Sequence, residues 1–170
     1  MGDHLLAHGL AGSPLRALAA AAGTSDRMLL YYFADRDELL GVLLDHVATR
    51  LHALLATVPL TPQPWTALLQ LLWDQARGAA MRPYLQLFLD LATAAGRGEE
   101  PHRTAASRIA ASFIDWTAAR LDPAQGAPQA RAALLLATLD GLFLLDGSGR
   151  GTDAEAALAI LLSGGQAEAV

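Results

Sequence analysis

Apolar residues recur along this chain at spacings of three and four, the period of a helix with one face turned inward. Leu15, Leu18, Ala19 and Ala22 fall at i, i+3, i+4 and i+7, and Leu40, Leu43, Val47, Leu51, Leu54 and Val58 form a longer stripe. Cut at its Gly and Pro residues, the chain is predicted to form helices near 3–8, 13–22, 25–33, 35–56, 64–77, 81–95, 102–121, 129–146 and 153–163. Ser13 is the expected N-cap of the second helix, with Pro14 at its first position. Asp35 and Glu38 have capping-box spacing, as do Thr152 and Glu155. The run from Thr61 to Pro64 breaks the chain, and residues 163–170 are expected to be a frayed tail. No segment sustains the alternation of a strand and no internal repeat is evident, so the predicted class is all-α.

Composition strengthens that reading and removes several chemistries. Alanine (36) and leucine (34) supply 70 of 170 residues, while isoleucine appears three times. Hydrophobic residues make up 53% and charged ones 17%, enough apolar material for a packed core. With no cysteine, disulfides, thiolate nucleophiles and cysteine-ligated zinc are excluded. With no lysine, so are Schiff-base chemistry and the P-loop lysine, and all twelve basic residues other than histidine are arginine. The formal charge of −5 argues against non-specific polyanion binding but leaves room for a small basic site. The start MGDHLLAHGL has neither the basic leader nor the apolar run of a secretory signal. The longest apolar stretch, Ala132 to Leu145, contains Asp140 and falls short of the roughly 20 residues of a membrane span. A soluble cytoplasmic protein, with no membrane partner, is expected.

Three short helices followed by a long one, with Gly23 in the tight turn after the second, have the pattern of a helix-turn-helix unit. Ala19 is small where two helices cross closely, Gly23 supplies the left-handed turn, and Leu29 anchors the next helix. The stretch LRALAAAAGTSDRMLLYYFADRDELLGVLL, Leu15 to Leu44, resembles the DNA-binding domain of TetR-type transcriptional regulators. The turn, the aromatic end Tyr31-Tyr32-Phe33 and the charged start of helix four leading into Leu39 carry the resemblance. More weakly, ATLDGLFLL and EAALAILL resemble that family's two C-terminal dimerisation helices.

The resemblance implies a helix-turn-helix DNA-binding domain over residues 1–46 and a helical ligand-binding and dimerisation domain over 47–170. It makes Ser25 to Phe33 the recognition helix in the major groove of a double-stranded operator. Arg16 then reaches a base or phosphate, Arg27 and Met28 face base edges, and Tyr32 and Arg36 meet phosphate. Ser25 and Tyr31 complete the expected DNA-facing set. Leu30 replaces a common phosphate-binding tyrosine, and Asp26 stands where lysine is frequent. Residues 1–50 hold four arginines and six acids, net −2, and the first helix lacks the family's basic leader. Weak affinity and a missing N-terminal segment both remain open as explanations.

The larger half has no recognisable catalytic signature, so an enzyme is not expected. Trp65, Trp73, Tyr84, Phe88, Phe113 and Trp116 fall on helices five to seven, which in the family surround a cavity for a small hydrophobic effector. Gln70, Asp74, Gln86, Asp90 and Asp115 are the candidate polar contacts; ordinary core packing is the competing reading for the aromatics. Leu134, Leu135, Ala137, Thr138, Gly141, Leu142, Leu145, Leu158 and Leu161 exceed the needs of one small core, which predicts a homodimer through the last two helices. His4 and His8 have i, i+4 spacing but no evident third ligand, so no metal is expected, and no cofactor either. The Gly-rich stretch Asp146 to Gly151 lies between helices and reads as a linker. The resulting expectation is a ligand-responsive transcriptional regulator, usually a repressor, released from a palindromic operator by its effector. The alternative is a dimeric small-molecule-binding or interaction module of the same fold with weak or lost DNA binding.

Overall fold

The computed structural model describes residues 1–100 and 102–164. The helices are α1 (Gly2–His8), α2 (Leu15–Ala21), α3 (Asp26–Tyr32), α4 (Arg36–Leu55), α5 (Trp65–Ala76), α6 (Arg82–Gly96), α7 (His102–Ala118), α8 (Pro128–Gly147) and α9 (Gly151–Gly164). A three-residue 3₁₀ turn, Pro123–Gln125, precedes α8. Among the described residues no strand forms, and one parallel pairing joins Gln63 to Leu121. The chain is therefore all-α, and no described helix is long and apolar enough to cross a membrane.

Two compact units divide the chain. The first comprises Met1–Thr57 and Ala79–Ile109; the second comprises Val58–Gly78 and the chain from Ala110 on. These packing units follow a different division from the one at residue 46 expected from sequence.

In the first unit α1 packs on α2, α4 and α6, and α2 packs on α3. Leu5, Leu18, Ala19, Leu29, Leu39, Leu40, Leu43, Leu44 and Val47 share a core with Tyr84, Leu87 and Leu91 of α6 and Ala105 and Ala106 of α7. Ala19 is 1% exposed, as a close helix crossing requires. Gly9 has φ +65°, and a Cβ there would lie 2.4 Å from an Asp90 carboxylate oxygen that accepts from the Leu10 N–H. A side chain at Gly9 would displace the Asp90 carboxylate and be strained by the left-handed backbone.

Local sequence accounts for the ends of α3 and α4. The Ser25 hydroxyl accepts from the Met28 N–H at 3.3 Å, and Asp35 Oδ1 accepts from the N–H groups of Asp37 and Glu38, both at 2.9 Å. Glu38 accepts from the Ala34 N–H, completing a variant of the capping box one residue earlier than the usual pairing.

Two caps differ from expectation. Pro14 is the N-cap of α2, while Ser13 is fully buried and its hydroxyl donates to the Gly9 carbonyl at 2.7 Å. The α1–α2 corner takes up that hydroxyl before the helix does. Thr152 lies inside the first turn of α9, and Glu155 turns to Arg77 and to the Trp73 indole N–H of α5. A cation and an indole donor outcompete the backbone N–H that a capping box would offer. Ser163 and Gly164, expected in the frayed tail, belong to α9; residues 165–170 lie outside the described residues.

In the second unit α5 packs on α8 and α9, which pack on each other. Ala132, Leu135, Leu139, Leu142 and Phe143 form the buried face of α8. Its opposite face, Ala133, Leu134, Ala137, Gly141, Leu144 and Leu145, is exposed and carries no charge. Leu134 and Leu144 are each 56% exposed, and Ile160 on α9 is 71% exposed.

Candidate functional site

The turn between α2 and α3 sets the direction of the most exposed aromatic surface in the first unit. Gly23 has φ +67°, and the Thr24 N–H returns to the Ala19 carbonyl at 3.0 Å, closing α2. Leu29, 5% exposed, points into the core. With Leu29 inward, the other positions of this seven-residue helix are left facing out.

Ser25, Arg27, Met28, Leu30 and Tyr31 line one open groove. Tyr31 is 78% and Tyr32 69% exposed, with ring centroids 5.1 Å apart and edge to face. Arg16 on α2 is exposed as well. Of the expected DNA-facing set, the groove gathers Ser25, Arg27, Met28 and Tyr31, and Tyr32 adjoins it through the Tyr31 ring. Leu30, which takes the place of a tyrosine in the resembled family, presents an apolar surface there instead.

Arg36 is placed differently. Half-buried at the start of α4, its Nη2 donates to the carbonyls of Leu10 and Ser13, and Nη1 lies 3.9 Å from Asp37. It ties the α1–α2 corner to α4.

The six aromatic candidates divide between the units. Tyr84 belongs to the core of the first unit, and Phe88 on the same helix is half-buried. In the second unit Trp65 is buried; its backbone N–H donates to the Gln125 side-chain oxygen, and its indole donates to the Arg131 carbonyl at 3.0 Å. Trp73, 1% exposed, donates to Glu155 and lies beneath the Arg77 guanidinium. Phe113 and Trp116 are half-buried and stack on α7, centroids 5.9 Å apart. Both indoles of α5 therefore have structural partners, and the Phe113–Trp116 pair is the more accessible aromatic surface. Among the polar candidates, Gln70 donates to Asp74, and Asp90 holds the turn after α1. Gln86 and Asp115 are exposed.

His4 and His8 stack with centroids 4.1 Å apart, His8 Nδ1 donating to the His4 carbonyl and His4 Nε2 to the Gly12 carbonyl. Among the described residues no three His, Asp or Glu side chains converge as a metal cluster would require.

Sequence reasoning missed Arg120 and Thr117 at the end of α7. Arg120 is 6% exposed, lies 3.9 Å over the Trp116 ring, and is held below its ordinary pKa by burial. The one local signal was the i, i+4 spacing of Trp116 and Arg120.

Asp140 is shifted as well. Its burial in α8 pushes the carboxyl up to about 6. By contrast, a hydrogen bond from Arg50 holds the exposed Asp3 below the usual carboxylate range.

Comparison of the chain with family models, curated proteins and solved structures returns no match.

Proposed function

We propose that this chain is a TetR-type, ligand-responsive DNA-binding regulator that binds a palindromic operator as a homodimer and represses until an effector releases it. The observation that carries the reading is the outward face of α3, where Arg27, Met28, Tyr31 and Tyr32 are exposed beside a capped N-terminus. A guanidinium and polar-tipped aromatics on one short helix suit the edge of a major groove and its flanking phosphates. The uncharged exposed face of α8 supports pairing with the same helix of a second copy, which supplies the second recognition helix. The effector acts by preferring a conformation that moves the two recognition helices out of register with their half-sites.

Arg27→Ala tests the assignment of the site. Loss of a guanine-reading arginine relaxes base discrimination by about 1–3 kcal/mol at one position. Unchanged binding across a set of single-base operator variants would remove Arg27 from the interface.

The second reading is a dimeric ligand-binding or interaction module with weak DNA affinity. The net −2 over residues 1–50 and the inward turn of Arg36 favour it.

A further inference from the structure

Arg36, Arg50, Arg77, Arg97, Arg103, Arg108 and Arg150 each have a carboxylate partner. Arg120 is buried and, among the described residues, no carboxylate reaches it. Its Nη1 donates to the Trp116 carbonyl at 3.0 Å, which satisfies one orphan acceptor at the end of α7. Its Nε is buried with no acceptor. Three residues earlier, the Thr117 hydroxyl is fully buried and also has no partner.

Buried polar groups are almost always hydrogen-bonded, and a buried cation without a counter-charge is destabilising. Two orphan donors within one turn of each other therefore describe an incomplete site. A buried water would satisfy the hydrogen bonds but leave the charge.

We propose that the end of α7 binds an organic carboxylate, held on the Nε–Nη2 edge of Arg120 beside the Thr117 hydroxyl. That edge is the guanidinium fork which Nη1, bonded to Trp116, leaves over, and it matches the two oxygens of one carboxylate. A phosphate dianion fits less well because one guanidinium edge and one hydroxyl match a single negative charge; Arg131 Nε donates to the Gln125 and Gly126 carbonyls instead. The Asp122 carboxylate caps the 3₁₀ turn through the Ala124 N–H. Phe113 and Trp116, stacked on the same helix, offer apolar surface to the body of the acid. That this acid is the effector rests on the proposed regulator; the site itself does not.

The test uses the full chain without DNA, with benzoate as probe, benzamide as its neutral isostere and chloride at matched ionic strength. Benzoate is expected to raise the melting temperature saturably and to perturb tryptophan fluorescence, whereas benzamide and chloride do neither. Arg120→Gln loses the response and Arg131→Gln keeps it. Thr117→Val, which preserves volume, weakens benzoate binding about five- to tenfold and decides the matter if Arg120→Gln fails to fold. No saturable response, an equal response to benzamide, or full binding by Thr117→Val and Arg120→Gln overturns the site. If benzoate binds as expected but leaves DNA affinity unchanged, the site stands and its role as effector site falls. Absence of DNA binding by the untreated protein overturns the regulator and leaves the site untouched.

Discussion

The guanidinium of Arg36 donates to the main-chain oxygen of Ser13 at 3.3 Å. The cation that opens α4 is thereby spent inside the protein, on the corner from which α2 departs. Arg36→Ala is expected to destabilise the fold by about 0.5–1.5 kcal/mol, since the Leu10 and Ser13 carbonyls lose their side-chain donor. It is also expected to leave the salt dependence of DNA binding unaltered. A salt slope reduced by roughly 0.9 per lost contact would show that Arg36 reaches phosphate after all.

Gly23 isolates the backbone contribution of the α2–α3 turn. Its φ is +67°, and a Cβ added there meets nothing within 4 Å. Gly23→Ala therefore costs about 1 kcal/mol of left-handed strain with no steric term. The melting temperature should fall by roughly 2–4 °C.

The exposed apolar face of α8 predicts self-association. Sedimentation should give twice the 17.8 kDa chain mass. Leu134→Asp combined with Leu144→Asp, both at exposed positions, should give a folded monomer. An unchanged sedimentation coefficient would place the interface elsewhere.

Asp140 ties stability to pH in a definite direction. Its folded-state pKa of about 6 lies above the ordinary 3.8 because burial penalises the charged form. The folded state thus holds the proton more tightly, so this contribution is complete below about pH 4 and is lost as pH rises through 6. The loss is at most about 2 kcal/mol once solvent screening of the partly buried carboxyl is included. Asp140→Asn should flatten the denaturation midpoint between pH 4 and pH 6.5 relative to the parent.

Helix periodicity and local caps were legible in the sequence because both depend on near neighbours. The Asp35 cap and the stripe from Leu40 to Val47 are of this kind. Ser13 and Glu155 were misread because their partners came from tertiary packing: a corner carbonyl for one, and Arg77 and Trp73, 78 and 82 residues away, for the other. Arg27, Met28 and Tyr31 share a face of α3 by helical geometry alone, so their grouping was readable. Beyond its i, i+4 spacing from Trp116, nothing local separated the buried Arg120 from the exposed Arg16, because burial is a property of the assembled fold.

The most direct measurement is fluorescence anisotropy of duplex DNA from the region upstream of this protein's own coding sequence, titrated with the protein over a range of salt concentrations. Binding at low salt is expected, with log K falling linearly against log salt and with Arg27→Ala weakening it. No binding at the lowest salt would contradict the assignment of α3 as a DNA-reading helix.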